Sequence, residues 1–174
     1  ASRFVEALNA QSGNEFAAHQ QYVACAIYYD DLTMPQMASF FYAQALEERD
    51  HAMMMVKFLL DTDASVKMPG VEAPIIDFAD VTAPIELALA QEKRVSEQIF
   101  NLTRIAREEN DFAAEQFMQW FIKEQVEEVS TMNDLLTVVT RASDDIEAIE
   151  EYVRREQGAA GADPTAPPMA GAGA

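Results

Sequence analysis

Residues 2–157 contain almost none of the residues that interrupt helices, and this restricts the fold more than any other feature of the sequence. Of the six glycines in the chain, only Gly13 and Gly70 precede residue 158. The same segment is rich in Ala, Leu, Glu, Gln and Met, which have high helix propensity. The sequence therefore predicts an all-α protein whose few breaks separate long helices.

These breaks predict four long helices and a short fifth one. The predicted spans are residues 4–29, 35–62, 82–109, 111–141 and a short helix after residue 145. Their predicted starts are marked by capping residues or proline, namely Asp31 or Thr33 with Pro35, Thr82 with Pro84, Asn110 with Asp111, and Ser143 with Asp144 and Asp145. In the fifth helix, Ile146, Ile149 and Val153 share one face.

The connections between these helices predict the topology. Residues 63–81 contain Pro69, Gly70 and Pro74 and have no helical period, so they form the one long internal loop. Each long helix extends roughly 40 Å, and this loop can span about 60 Å when extended. The sequence therefore predicts a four-helix bundle with one long crossover and a short fifth C-terminal helix.

Each long helix carries one glutamate within its apolar stripe. Positions 4, 7 and 11 residues apart share a helix face. By this rule Glu15, Glu48, Glu92 and Glu128 align with large apolar residues of their own helices, and His51 lies one turn after Glu48. We therefore expect four carboxylates and one imidazole to point into the core.

Buried carboxylates without a positive partner would cost several kcal/mol each. The basic residues near these glutamates fall outside the apolar stripes, so metal ions are the better partners. Two divalent cations would balance four carboxylates, and an oxygen-rich set with one imidazole favours Fe(II) or Mn(II) over zinc. Any single glutamate is more commonly a residue at the edge of a stripe, and only the whole set favours a metal site.

Composition excludes several other classes of function. With 12 basic and 30 acidic residues, the net charge is −18, which disfavours nucleic acid and anionic membranes as partners and favours cations. The sequence predicts no membrane span. The one cysteine, Cys25, cannot form a disulfide within the chain, and we expect a cytoplasmic protein.

Four short segments carry a resemblance to a known family. They are NEFAAHQQY (residues 14–22), EERDHA (47–52), QE (91–92) and QWFIKEQVEE (119–128). With these segments the chain resembles the ferritins, specifically the non-haem bacterial ferritins. The resemblance implies a ferritin-like di-iron domain over residues 1–157, which oxidises Fe(II) with dioxygen or peroxide. It further implies iron storage and detoxification inside a hollow shell of twenty-four identical subunits.

The resemblance also implies roles for individual residues. Glu15, Glu48 and His51 would hold one iron, and Glu48 would bridge to a second iron held by Glu92 and Glu128. Gln125 would lie near the second iron and Tyr22 close to the pair. Tyr22 and Trp120 are candidate donors of an extra electron, although packing explains both equally well.

Two departures from related families narrow the interpretation. Symmetric di-iron proteins repeat Glu-x-x-His on the fourth helix, whereas this chain has Gln125-x-x-Glu128, so we expect a weaker second iron. Bacterioferritins resemble the chain but place a haem-ligating Met where it has Arg49, so we expect no haem.

Three further glutamates predict a third, weaker cation site. Glu124 and Glu127 lie on the same side of Glu128 around the fourth helix, and Glu47 precedes Glu48. In ferritins that resemble this chain, such a site adjoins the iron pair, and the alternative is that these acids are solvated edge residues. Glu115, in the first turn of the fourth helix, is a candidate channel residue, although the helix dipole also explains an acid there.

Residues 158–174 form a low-complexity Ala/Gly/Pro tail, which we expect to lack a fold of its own. Two rival functions remain open at this point. A di-metal oxygenase or manganese catalase would use the same ligands on another substrate. A structural bundle would retain the acids without using them.

Overall fold

The computed structural model describes residues 2–158 and 161–172. These residues contain five helices and no strand: α1 (Arg3–Asp31), α2 (Pro35–Asp61), α3 (Ala83–Glu108), α4 (Phe112–Arg141) and α5 (Ile146–Glu156). The all-α prediction is confirmed, and the predicted helix ends differ from the observed ones by no more than two residues, as at the end of α1.

At three of the five helix starts, the side chain of the N-cap residue itself caps the helix. Ser2 accepts a hydrogen bond from the Val5 amide at the start of α1, while Asp111 and Asp145 do the same for α4 and α5. The last two are among the predicted capping residues. They satisfy backbone amides that have no partner within the first helical turn.

The predicted cap of α2 was wrong. Neither Asp31 nor Thr33 caps it, because α1 continues through Asp31 and Thr33 adopts a left-handed conformation with φ 56°. The capping position is held by Met34, whose side chain accepts no hydrogen bond. Instead, the carboxylate of Glu150 in α5 accepts from the backbone amides of Gln36 and Met37, both at 2.9 Å.

Helix α3 begins where the sequence predicted, directly after Thr82. Thr82 occupies the capping position, but its side chain makes no capping hydrogen bond. Asp80 replaces it, because its Oδ1 accepts from the amides of both Thr82 and Ala83 at 3.0 Å.

The crossover runs along the full length of α1. Near the start of α1, Asn9 accepts from the Lys67 amide at 2.7 Å. Further along, Gln21 exchanges two hydrogen bonds of 2.9 Å with the backbone of Ile75. At the end of α1, the Tyr29 hydroxyl donates to the Val81 carbonyl at 2.6 Å. Helix α3 therefore begins beside the end of α1 and runs parallel to α2, as the crossover prediction requires.

The core consists of two apolar clusters, one toward each end of the bundle. One cluster surrounds Tyr22, Phe41 and Met132, and the other surrounds Leu8, Met55 and Phe121. On every long helix, the predicted stripe glutamate lies between residues of the two clusters. The bundle thus places a polar layer near its middle, with apolar packing on both sides.

The described part of the tail packs on the bundle, although it contains turns and no helix or strand. Ala166 and Met169 contact the second apolar cluster, and the Ala170 amide donates to the Met53 carbonyl in α2 at 3.1 Å. Residues 159–160 and 173–174 of the predicted tail lie outside the described residues. A separate unit beginning at residue 158 stays a prediction.

Two other observations concern Cys25 and membrane spans. Cys25 is buried and free, and burial raises the pKa of its thiol to about 12. Among the described residues, no helix combines the length and apolar character needed to cross a bilayer.

Candidate metal centre

Four glutamates, one from each long helix, meet in the polar layer between the apolar clusters. Glu15, Glu48 and Glu92 are at most 1% exposed, and Glu128 is 5% exposed. Each lies in the apolar stripe of its helix, so packing of the stripes brings the four carboxylates together. His51, one turn after Glu48, is also buried.

The ligand atoms form two groups that share one residue. Glu15, Glu48 and His51 form the first group, and Glu48, Glu92 and Glu128 form the second; within each group the ligand atoms lie within 4.8 Å of one another. In the first group, His51 Nδ1 lies 3.6 Å from Glu48 Oε2 and 3.9 Å from Glu15 Oε2. Glu48 is therefore placed to contact ions in both groups.

Hydrogen bonds orient two of the carboxylates. Tyr22 donates its hydroxyl proton to Glu92 Oε1 at 2.6 Å, and Gln125 Nε2 donates to Glu92 Oε2 at 3.0 Å. On the other side of the centre, Gln11 Nε2 donates to Glu15 Oε1 at 3.3 Å. The other carboxylate oxygen of Glu15 is left facing His51.

Burial and mutual repulsion raise the pKa values of three of these carboxyl groups. For Glu48, burial raises the pKa most, and the negative charges of Glu92 and Glu15 raise it further. Burial likewise raises the pKa of Glu128, followed by the charge of Glu92. For Glu92, burial again raises the pKa, while the hydrogen bonds from Tyr22 and Gln125 oppose the shift. A nearby cation would stabilise the ionised form of all three.

Two buried oxygens at the centre of the site support cation binding. Glu15 Oε2 and Glu48 Oε1 are buried without a hydrogen-bond partner. Unpaired buried carboxylate oxygens are costly, and a divalent cation would provide the missing partner. The donor set of carboxylates and one imidazole fits Fe(II) or Mn(II).

The three residues of the predicted third site line one cavity but do not form a compact group. Glu47, Glu124 and Glu127 border a cavity of about 890 Å³ that also reaches His51 and Glu128. Neither compact ligand group found among the described residues includes any of the three. Burial raises the pKa of Glu124, and the charges of Glu127 and Glu47 raise it further. The third site stays a prediction.

The remaining candidate residues occupy different environments. The rings of Trp120 and His51 pack in a T-shaped arrangement, with ring centroids 5.5 Å apart and planes at 78°. Arg49 is exposed and pairs with Asp50 at 3.2 Å, and the absence of haem stays a prediction. Glu115 accepts two hydrogen bonds from the Arg107 guanidinium, at 2.9 and 2.7 Å, and its channel role also stays a prediction.

Some residues near the centre were missed by the sequence analysis. Gln11 and Gln44 precede Glu15 and Glu48 by one helical turn, and Ser96 follows Glu92 by one turn. Ser96 Oγ accepts from Gln125 Nε2 at 3.2 Å, and Gln44 lines the cavity. The same helical spacing that identified the glutamates would have found these polar neighbours. No local sequence signal marks Asp163, whose Oδ2 accepts from Trp120 Nε1 at 3.0 Å.

Comparisons with known proteins agree with this arrangement. A profile of the ferritin-like domain matches residues 5–142. The chain is 49% identical to ferritin BfrB of Mycolicibacterium smegmatis over 98% of this chain and 94% of the relative. It is 37% identical to a bacterial non-haem ferritin of Staphylococcus aureus over 89% of this chain and 93% of the relative.

A solved structure shares the fold. The open pore ferritin from the archaeon Archaeoglobus fulgidus superimposes with a TM-score of 0.85 at 30% sequence identity. The match covers 88% of this chain and 95% of the archaeal chain.

Proposed function

The chain belongs to the ferritin family, and we propose that its metal centre oxidises Fe(II) to Fe(III) for storage inside a hollow shell of identical subunits. The family relationship supports iron storage. The observation that carries the ferroxidase proposal is the position of Glu48, which belongs to both compact groups of potential ligands. A carboxylate shared by two groups is the arrangement that a pair of iron ions requires.

In this proposal Fe(II) is a substrate, and each ligand group binds one ion. Glu15, His51 and Glu48 bind the first ion, while Glu48, Glu92 and Glu128 bind the second. The second group contains no imidazole, and the Gln125 side chain that takes the place of a histidine donates its amide N–H to Glu92. We therefore expect the second ion to bind more weakly than the first.

The carboxylates drive the oxidation because they favour the harder Fe(III) ion over Fe(II). This preference lowers the potential of the bound iron and promotes electron transfer to dioxygen or peroxide. Two Fe(II) ions supply two electrons, which together with two protons from solvent reduce one dioxygen to hydrogen peroxide or one hydrogen peroxide to two water molecules. A weakly held second ion also assists release of the ferric product.

Tyr22 is suited to supply a further electron. Its hydroxyl already donates a hydrogen bond to Glu92 at 2.6 Å, so the phenolic proton has an acceptor when the ring is oxidised. Burial and the charge of Glu92 raise the pKa of Tyr22, which keeps the phenol protonated beforehand. Trp120 is a second candidate donor, because its ring contacts His51.

The ferric product leaves toward the cavity bordered by Glu47, Glu124 and Glu127. In the proposal these acids bind a third iron weakly and pass it between the pair and the mineral store. Twenty-four subunits would enclose the store, and Glu115 would line a channel for incoming iron. The archaeal relative is an open pore ferritin, which supports a shell with openings.

Anaerobic loading with Fe(II), followed by addition of oxygen, tests the proposal. We expect a very large assembly on size exclusion and hundreds of iron ions retained per shell after repeated additions. The Fe(III) absorbance in a stopped-flow spectrometer measures the rate of oxidation. A small oligomer that retains only two iron ions per chain would contradict storage and favour a di-metal oxygenase or catalase. Retention of no metal would favour a structural bundle.

A further inference from the structure

Residues 161–172 lie against the α2 and α4 side of the metal centre. At one end, Asp163 Oδ2 accepts a hydrogen bond of 3.0 Å from Trp120 Nε1 in α4. At the other end, the Ala170 amide donates to the carbonyl of Met53, two residues after His51 in α2. The tail is therefore attached to α2 and α4, two of the helices that border the cavity beside the centre.

Asp163 is held in a defined orientation by its own turn. Its Oδ1 accepts from the Thr165 amide at 2.8 Å and from the Thr165 hydroxyl at 2.6 Å. These bonds, together with the one from Trp120, lower the pKa of Asp163 to about 2. The second oxygen, Oδ2, is thereby directed at Trp120, and an ionised acceptor makes a stronger hydrogen bond than a neutral one.

Trp120 in turn contacts His51. The His51 ring makes T-shaped contacts with Trp120 and Phe121, with centroids 5.5 Å and 5.8 Å apart. Metal-binding histidines usually donate their second ring N–H to a carboxylate or carbonyl, which fixes the ring. Within the described residues His51 makes no hydrogen bond of this kind, so the aromatic contacts restrain its ring on the side away from Glu15 and Glu48.

The two aromatic neighbours of His51 are fixed in different ways. Phe121 is 1% exposed and packs on Phe117 and Trp120 within the core. Trp120 is half-buried and borders the cavity. On the cavity side, the hydrogen bond to Asp163 is the polar contact that restrains the indole.

We propose that Asp163 is a positioning residue of the metal centre, which holds Trp120 and thereby orients the His51 imidazole toward the first metal ion. The proposal rests on the proposed function, because it requires His51 to bind metal. Asp163 does not itself bind the ion, since neither compact ligand group found among the described residues contains it.

Co(II) is a suitable probe, because it binds carboxylate and imidazole ligands and is not oxidised under the assay conditions. Trp120 is the one tryptophan of the chain. Co(II) bound at His51 should therefore quench the tryptophan fluorescence directly, while visible absorbance reports both binding positions. We expect Asp163→Ala to weaken Co(II) binding at the His51 position by about tenfold, the lower end of the range for groups that support a metal ligand, and to leave the second position unchanged.

Asp144→Ala is the matched control, because Asp144 is exposed and does not line the cavity. It should bind Co(II) like the parent protein. Asp163→Asn retains one acceptor oxygen and should recover part of the lost affinity. A merely structural role for the tail predicts either no change in Asp163→Ala or an equal loss at both positions, and either result would overturn the proposal.

A double-mutant cycle tests whether Asp163 acts through Trp120. Trp120→Phe removes the indole N–H but keeps an aromatic ring against His51. Followed by Co(II) absorbance, Asp163→Ala in the Trp120→Phe background should cause no further loss of affinity. Additive losses would mean that Asp163 acts by another route and would contradict the proposal.

His51→Ala separates failure of this inference from failure of the proposed function. If the parent protein has no Co(II) position that depends on His51, the metal centre itself is wrongly assigned and the inference falls with it. If that position exists and Asp163→Ala leaves it unchanged, only the role of Asp163 is wrong.

Discussion

Glu48 is the residue on which both metal positions depend. Its carboxylate lies in both ligand groups, and one of its oxygens is buried without a hydrogen-bond partner. Loss of a residue that only supports a metal ligand lowers activity by up to about 100-fold. Glu48 is itself a proposed ligand, so Glu48→Ala should lower the initial rate of Fe(II) oxidation by more than that. Stopped-flow absorbance after mixing with aerobic buffer measures this rate.

Glu97→Ala provides the control for that experiment. Glu97 is an exposed glutamate of α3 outside both ligand groups, so its loss removes the same charge and should leave the rate unchanged. A parent-like rate in Glu48→Ala would show that the two groups do not act as one centre.

Glu128 should stabilise the metal-bound protein and destabilise the metal-free one. Burial and the neighbouring charges of Glu92 and Glu47 raise its pKa, so its ionised form is unfavourable without a cation. Glu128→Gln keeps the size of the side chain and removes the charge. We expect the metal-free melting temperature to rise by about 2 to 6 °C, because replacing an uncompensated buried charge is stabilising.

Calorimetry in the presence of a chelator, and then with added Co(II), measures both effects. Co(II) should raise the melting temperature of the parent protein more than that of Glu128→Gln, since the variant has lost one ligand charge. A lower metal-free melting temperature in the variant would mean that the carboxylate is already compensated within the protein.

At the scale of the helices, α5 stabilises the start of α2. The Glu150 carboxylate accepts from the Gln36 and Met37 amides, which have no capping side chain of their own. Glu150→Ala should therefore destabilise the protein by about 1 to 2 kcal/mol, as loss of a helix cap does. Hydrogen exchange of the Gln36 and Met37 amides should increase before the rest of α2 is affected.

Glu147→Ala tests whether this effect is specific. Glu147 is an exposed residue in the first turn of the same helix, and it makes no such contact with α2. Its loss should leave exchange at the start of α2 unchanged. Equal exchange in both variants would indicate that α5 does not cap α2 in solution.

The helices and the glutamate stripes were predictable because they depend on local properties. Helix propensity, the position of proline and the 3.6-residue period act within a few residues, and they place Glu15 or Glu92 on a buried face. The start of α2 was not predictable in this way. Its cap, Glu150, is 114 residues from Gln36 in the sequence, and only the packing of α5 brings them together.

The tail likewise makes contacts with residues distant in the sequence, which could not be predicted locally. Its composition of Ala, Gly and Pro predicts no regular structure, and the described residues agree with that. Composition gives no indication that Asp163 meets Trp120, because that contact depends on where α4 and the tail lie in space. At the centre, the sequence predicted which acids converge but not the hydrogen bonds that orient them, such as those to Glu92.

At the scale of the whole molecule, the protein combines a stable core with an unfavourable polar layer. Apolar clusters on both sides of the centre hold the helices together, so four buried carboxylates can be retained without metal. The net charge of −18 attracts cations to the whole molecule. Metal ions should therefore stabilise the assembled protein as well as react in it.

The cavity bordered by Glu47, Glu124 and Glu127 connects the centre to the α2 and α4 side of the bundle. Neither compact ligand group found among the described residues includes these acids. An ion held by them would therefore bind weakly and exchange quickly, as a transfer site requires. Changing all three to Ala should leave oxidation of the first two iron ions per chain fast. Later additions of iron should react more slowly, or with a different amount of oxygen used per iron, because transfer to the store is impaired.

Repeated additions of Fe(II), followed by absorbance and an oxygen electrode, measure both quantities. The matched control changes Glu72, Glu97 and Glu147 to Ala, because these three exposed acids carry the same total charge and none of them lines the cavity. Long-range attraction of cations depends on net charge and is lowered equally in both variants, so any slower reaction of the cavity variant relative to this control comes from the position of its acids. If the cavity variant also matches the control through many additions, the three acids do not take part in iron transfer, and the ferric product must leave the centre by another route.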